Sequence, residues 1–480
     1  MDKSRSSGLL FYLCILLYGA LGIALQVFLL RRLLATLGGN ELSVVFGLAI
    51  WLLGAGLGSW ISGNRSRFHK HNSTLCFLSL SAAFLFPICS LWSPFAVRGL
   101  TGHVIGQAYT PSEMLLCSVV LIGLPCFLWG CLFPVLCRIG NAFGVQSSRV
   151  FLFEAVGAGI GGLLYTFLFL PSFDEWTIAL VLVAASVCQW IAMVWVVPGW
   201  RHRGSLSAGI LGVALLACLM GSVGQLRNLA LDANWQGFDV LEAKDSLYGS
   251  LVVTQQESQI SFHENGTVLF SYPDEESYED VIHIPLLQHP NPKTLLLVGG
   301  GPAAITEAGQ HPLDEIHYVE LDSSLVSLIK RYAAGHEQSV LDDPRVTLSR
   351  ADARREIKNA RQRFDVIAVC LGDPTTLQTN RLFTEEFFSE ARRCLAPGGI
   401  LAFEVSSAEN VLSDDLVRYL QLIRDTLSSV WEQVLCVPGL HGLFLASDQA
   451  TGFETDVSRL YERHEQRAIQ SQYLFYTHLP

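Results

Sequence analysis

The first 225 residues hold seven apolar runs of bilayer-spanning length, at about 8–30, 42–62, 74–92, 113–136, 150–170, 177–197 and 205–224. A helix rises about 1.5 Å per residue and the hydrocarbon core is roughly 30 Å thick, so about 20 apolar residues make one crossing. Backbone groups in lipid must be satisfied within the segment, so the runs predict an α-helical transmembrane bundle of about seven helices. The remainder is built for water. Residues 1–225 contain 12 Lys/Arg and 6 Asp/Glu, whereas residues 226–480 contain 20 and 37. The overall 50% hydrophobic and 16% charged content averages two unlike parts. It excludes a fully soluble, disordered or coiled-coil chain.

Glycines concentrate in two of the runs, at Gly54, Gly56 and Gly58 and at Gly157, Gly159, Gly161 and Gly162. Small residues let helix backbones approach in lipid, so helix packing is the expected role, ahead of a lined path. Gln26 and Glu154 are the candidates for functional polar residues inside the runs. Glu154, near the start of its helix, is read as structural before it is read as an ion or substrate site. Nine of the twelve cysteines lie in the membrane half, without metal-type spacing, so neither a metal site nor a disulfide framework is expected.

From about residue 238 short strand-like segments appear: 251–253, 259–262 and 267–270, with a tight Asn265-Gly266 turn between the last two. They predict a small β-meander in 238–285. From 286 to 450 strand and helix alternate, which predicts an α/β Rossmann-like, doubly wound parallel sheet. Residues 451–480 read as a C-terminal tail. Ligands of such sheets bind at the carboxyl ends of the strands. There the sequence places Gly299, Gly300 and Gly301 after the strand at 294–298, Glu320 at the end of the next strand, and Asp352 after a later one. Glycines let a ligand touch backbone, Glu320 suits ribose hydroxyls, and Asp352 suits an adenine amino group. Together they predict a nucleoside site.

Residues 248–405 resemble the spermidine synthase (polyamine aminopropyltransferase) family. The likeness rests on His-Pro-Asn-Pro-Lys at 289–293, the run into Gly299–Gly301, Tyr-Val-Glu-Leu-Asp at 318–322, Leu-Asp-Asp-Pro-Arg-Val at 341–346, Ala-Asp-Ala-Arg at 351–354 and the stretch 373–384. With the helical region ahead of it, the chain resembles the fused multi-pass members of that group. The resemblance implies a class I methyltransferase-type fold and decarboxylated S-adenosylmethionine, or a related adenosyl nucleoside, as co-substrate, with no metal. It implies a small amine or polyamine as acceptor. It assigns Gly299–Gly301, Glu320 and Asp352 to the nucleoside, and Tyr278, Glu279 and Asp280 to the amine side. An ammonium must lose a proton before it attacks carbon, so a base is needed. The position of the family's usual base is Cys370 here, and Asp373, or Glu279 and Asp280 nearby, could substitute for it. Pro302 stands where the family has an Asp after its glycines. The nucleoside half is thus kept and the amine half eroded.

The expectation is a membrane-bound transferase of aminopropyltransferase type, acting in polyamine metabolism. The alternative is a non-catalytic nucleoside- or polyamine-binding domain coupled to transport or sensing. Methyl transfer shares the fold but lacks an acceptor motif. The acidic soluble half argues against nucleic acid and suits a cationic ligand. The basic run from Arg350 to Arg363 reads as a solvated helix face. Partners are the amine and the lipid bilayer, with oligomerisation open. The chain is expected in the cell (inner) membrane. With the N-terminus inside, nine Lys/Arg fall on the cytoplasmic side (Lys3, Arg5, Arg65, Arg67, Lys70, Arg138, Arg149, Arg201, Arg203) and three outside (Arg31, Arg32, Arg98). Seven crossings then put the soluble domain outside, whereas an adenosyl co-substrate is cytosolic. Either a helix does not span, which places the domain in the cytoplasm and is the preferred reading, or the domain does not work on a cytosolic metabolite.

Overall fold

Helices occupy the first part of the chain, in a computed structural model that describes residues 2–64, 86–196, 203–274, 276–333 and 338–474. They are α1 (Asp2–Thr36), α2 (Glu41–Asn64), α3 (Ser93–Thr101), α4 (Pro111–Ala142), α5 (Ser147–Ser172), α6 (Glu175–Val196) and α7 (Arg203–Asn234). Among the described residues five of them, α1, α2, α4, α5 and α6, are long and apolar enough to cross a membrane. The run at 74–92 falls mostly on residues 65–85, outside the described residues. The run at 205–224 lies within α7, which is helical but is not one of the five. Of the seven runs, five are thus matched by long apolar helices among the described residues, and the other two fall partly on residues or side chains outside that description.

The chain falls into two compact units, residues 1–252 with 264–267, and residues 253–263 with 268–480. In the first unit one apolar cluster joins α1, α2, α4, α5 and α6, including Phe11, Leu25, Ile122, Val150 and Leu182. The glycines act in packing. A side chain at Gly157 or Gly161 would run into the backbone of Leu16 or Ala20 in α1, and one at Gly58 into the backbone of Phe127 in α4. Gly56 and Gly159, by contrast, face open space. At the start of α4, Thr110 and Glu113 form a reciprocal cap, with Pro111 in the first turn.

The meander has four strands where three were expected: β1 (Asp239–Asp245), β2 (Ser250–Gln256), β3 (Gln259–Glu264) and β4 (Thr267–Tyr272), in that order. β1, Asp-Val-Leu-Glu-Ala-Lys-Asp, is too charged to show a strand pattern. Asn265 and Gly266 both take positive φ (52° and 81°), as a tight hairpin requires.

The larger sheet has seven strands: β5 (Thr294–Gly299), β6 (Glu315–Val319), β7 (Val346–Ser349), β8 (Phe364–Cys370), β9 (Leu395–Ser406), β10 (Gln433–Val437) and β11 (His441–Ser447). Their order is β10-β11-β9-β8-β5-β6-β7. β9 to β7 are parallel; β11 and β10 add an antiparallel edge. The intervening helices are α8 (Glu276–Gln288), α9 (Gly301–Gly309), α10 (Ser323–Tyr332), α11 (Ala353–Asn359), α12 (Glu385–Cys394) and α13 (Asp414–Ser428). Asp322, Asp352 and Thr384 cap α10, α11 and α12 by accepting backbone N–H bonds. The strand order reverses between β5 and β8, which opens the crevice where ligands of such sheets bind.

Residues 451–480 are not a loose tail up to residue 474. They form α14 (Val457–Gln466) and an anchored segment. Arg463 donates to the carbonyl of Leu287 at 2.6 Å, and Arg467 to those of Leu286 (2.7 Å) and His289 (3.0 Å). The unsatisfied carbonyls at the end of α8 thus find their donors in the last helix.

Candidate functional site

β5 ends where the backbone enters the left-handed region: Gly299, Gly300 and Gly301 have φ of 71°, 78° and 61°. A Cβ on Gly300 would lie 2.9 Å from that of Cys370 and 3.2 Å from Cε1 of Tyr278, and one on Gly301 would lie 2.9 Å from the Phe270 ring. The turn is therefore held between β8, α8 and β4, and it opens α9 with Pro302 in the first turn.

Glu320 follows β6 and is drawn from solvent. Its Oε1 accepts the Asp322 N–H at 3.1 Å, and its Oε2 accepts the Tyr318 hydroxyl at 3.4 Å. Burial raises its carboxyl above the ordinary range, against the lowering pull of the Asp322 and Leu321 N–H groups. Asp322 uses Oδ1 on the Ser324 N–H at 2.8 Å, while its buried Oδ2 has no hydrogen-bond partner. A buried acceptor without a donor is costly and is where a ligand hydroxyl is welcome.

Asp352 is already engaged. It accepts the Arg355 N–H at 2.9 Å and pairs with the Arg381 guanidinium. The basic run of α11 is not simply a solvated face: Arg354 bonds Glu390 at 2.8 Å and the Arg381 carbonyl at 3.1 Å.

On the amine side the structure redistributes the expected roles. Asp373 accepts the Ser406 N–H and the Tyr419 hydroxyl, both at 2.9 Å, as well as the Ser406 hydroxyl. It ties the β8 loop to β9 and α13. Glu279, expected beside the amine, is 1% exposed and accepts the N–H groups of Gln472, Tyr473 and Leu474 at 2.6–2.8 Å. One residue along a helix turns the side chain by about 100°, so Tyr278 can meet the glycine turn while Glu279 holds the C-terminal segment. Tyr278 is 8% exposed, and Asp280 is exposed. At Cys370 burial, then the charge of Glu404, pushes the thiol up, which keeps it protonated near neutral pH.

Glu404 is the residue that sequence reasoning missed. Val369 of β8 lies opposite Phe403 of β9, and both point into the core with Phe387 and Phe388. Side chains alternate along strands, so the next residues, Cys370 and Glu404, share the other face. Burial, then the charge of Asp280, pushes the Glu404 carboxyl up to about 8. The available signal was a lone acid inside the apolar strand Ile400–Val405.

The spermine/spermidine synthase domain model matches residues 275–452. The C-terminal domain belongs to the spermine/spermidine synthase family. Similar curated proteins include the polyamine aminopropyltransferase of Oceanobacillus iheyensis, 27% identical over 383 residues, covering 77% of this chain and 72% of the relative. Polyamine aminopropyltransferase 2 of Aquifex aeolicus is 26% identical over 477 residues, covering 97% of this chain and 92% of the relative. That alignment includes the helical region as well as the synthase-family domain. The Streptococcus pneumoniae polyamine aminopropyltransferase is 33% identical over 182 residues, covering 36% of this chain and 57% of its own. Among solved structures, a spermidine synthase in complex with the transition state analogue AdoDATO has a TM-score of 0.42 at 23% identity, covering 49% of this chain and 81% of that one.

Proposed function

We propose that the synthase-family domain binds a sulfonium nucleoside of the decarboxylated S-adenosylmethionine type and an amine, and transfers the aminopropyl group to that amine from a multi-pass membrane protein. The observation that carries this reading is the grouping, at the carboxyl ends of the neighbouring strands β5 and β6, of a three-glycine turn in the left-handed region, Glu320 and the unpartnered Asp322 oxygen. Family membership of the domain supports it. Gly299–Gly301 offer backbone to the nucleoside, Glu320 accepts from the ribose hydroxyls, and Asp352, alongside Arg381, accepts from the adenine amino group.

In the transfer, the amine nitrogen attacks the carbon beside the sulfonium. The N–C bond forms, the C–S bond breaks with its electron pair going to sulfur, and methylthioadenosine leaves. The proton released from nitrogen goes to a carboxylate. Asp373 is the candidate by sequence position, yet its oxygens hold Ser406 and Tyr419. Glu404, with a carboxyl near 8, is the acid in reach of both Cys370 and Tyr278 by charge interaction. A base poised close to the working pH suits this step. Tyr278 and Asp280 complete the amine side.

The test uses the full chain in detergent, incubated with decarboxylated S-adenosylmethionine and a series of diamines. Methylthioadenosine release is the expected result. No release with any amine overturns the transfer reading. Calorimetry on the same preparation separates the alternative: binding of methylthioadenosine and amine without release supports a transport or sensing role, which the protonated Cys370 and the engaged Asp373 favour.

A further inference from the structure

The first unit shows at which end of the helical bundle the chain leaves. The last turn of α1 pairs Arg32 with Glu175 at the start of α6, and Arg32 also donates to the Ser90 carbonyl at 3.3 Å. Thr36 bonds Ser93 at 2.7 Å. The end of α7 meets the same place: Asn234 donates to the Leu91 carbonyl at 2.9 Å, and Arg227 pairs with Asp174 at 3.3 Å. β1 follows directly, with Asp245 accepting the Glu175 N–H at 3.1 Å and Arg31 donating to the Ser246 carbonyl at 3.0 Å. The C-terminal ends of α1 and α7, the N-terminal end of α6 and residues 245–246 thus share one end of the bundle.

The opposite end gathers other groups. Arg138, near the end of α4, donates to the Ser62 carbonyl near the end of α2 at 3.0 Å, and Gly140 packs on Val150 and Phe11. This end therefore holds the start of α1, the ends of α2 and α4 and the start of α5. The basic residues divide accordingly. Lys3, Arg5, Arg138, Arg149 and Arg203 lie on helix ends of that side, and in the sequence Arg65, Arg67 and Lys70 follow α2 and Arg201 precedes α7. The exit end has Arg31, Arg32, Arg98, Arg227 and Lys244, and it also carries Asp174, Glu175 and Asp245. Lys and Arg accumulate on the cytoplasmic side of membrane helices.

We infer that the chain leaves the bundle on the non-cytoplasmic side, so that the synthase-family domain meets the amines and nucleosides of that compartment and not those of the cytosol. The inference rests on reading the apolar helices as membrane-spanning. It does not depend on the helix count, because contacts within the first unit identify the exit end. An adenosyl donor made in the cytosol has to be carried across the bilayer before this site can use it. A binding role toward external polyamines carries no such demand.

The experiment uses intact spheroplasts and a membrane-impermeant maleimide, with labelled peptides identified by mass spectrometry. Cys436, exposed on β10, is the native reporter of the domain. A Ser148→Cys variant, exposed at the start of α5, reports the other end. Labelling of Cys436 in intact spheroplasts, with position 148 modified only after permeabilisation, is the expected result. The reverse pattern in a membrane-integrated chain overturns the inference alone. Recovery of the chain from the soluble fraction overturns the spanning reading and this inference together. Neither result bears on whether the domain turns over.

Discussion

Gly300 holds a left-handed turn with Cys370 and Tyr278 against the place a side chain would occupy. Left-handed backbone costs a residue with a Cβ roughly 1–2 kcal/mol, before any steric contact is counted. Gly300→Ala is expected to lower stability by at least about that amount and to weaken methylthioadenosine binding, read by thermal unfolding and calorimetry of the full chain. Unchanged affinity would remove the turn from the site. Glu404 makes a pH-dependent prediction. Its folded carboxyl titrates at about 8, against an ordinary 4.5. Between those values the folded state holds a proton that the unfolded state has lost. Its contribution is therefore full below about 4.5 and disappears as pH rises through about 8. Glu404→Gln should melt higher than the native chain at about pH 9 and much the same at about pH 5. Equal pH dependence in both proteins would mean that Glu404 is solvated.

Elements differ in how far the sequence revealed them. The parallel strands were legible because apolar runs act locally, as do capping residue types such as Asp322 and Thr384, whereas Asp352 was read only as a ligand residue and also caps α11. Pro397-Gly398-Gly399 is a case where local composition and structure part. It looks like a turn ahead of a strand, but it lies inside β9 as an irregularity, since Leu395 pairs with Phe364 and Ile400 with Val366. Glu279 misled for a different reason: its partners lie nearly 200 residues away, and no local pattern announces them. Glu279→Ala leaves three backbone N–H groups without their charged acceptor, where bonds to charged groups are worth about 1.5–3 kcal/mol each. It should destabilise the domain markedly, measured by denaturant unfolding, while methylthioadenosine affinity in the folded fraction stays within a few-fold. A selective loss of ligand binding would return Glu279 to the site. In the helical unit, Gly157→Leu drives a side chain into the α1 backbone and should cost at least the 1–3 kcal/mol typical of overpacking. Gly159→Leu faces open space and should be tolerated. Equal melting of the two variants in detergent would argue against the α1–α5 contact.

For the whole molecule, five helices of 22–32 residues are long and apolar enough to cross a bilayer. The full chain should stay with the membrane pellet through alkaline carbonate extraction, as integral proteins do, and release into the supernatant would contradict a spanning bundle. The sequence alone determined that a part made of long apolar helices precedes an α/β domain, because composition and hydrophobic period record how apolar each residue's surroundings are. It also determined where the glycine turn and Glu320 lie along the strands. It did not decide the amine side. Cys370, Glu404 and Tyr278 come from three separate stretches, and only strand alternation and helix packing bring them to one face. The tertiary structure likewise decided that Asp373 and Glu279 serve as anchors, because a carboxylate's role depends on which donors the fold brings to it. It decided the exit end of the bundle for the same reason: Arg32, Glu175, Arg227 and Asp245 are distant in sequence and neighbours only after folding.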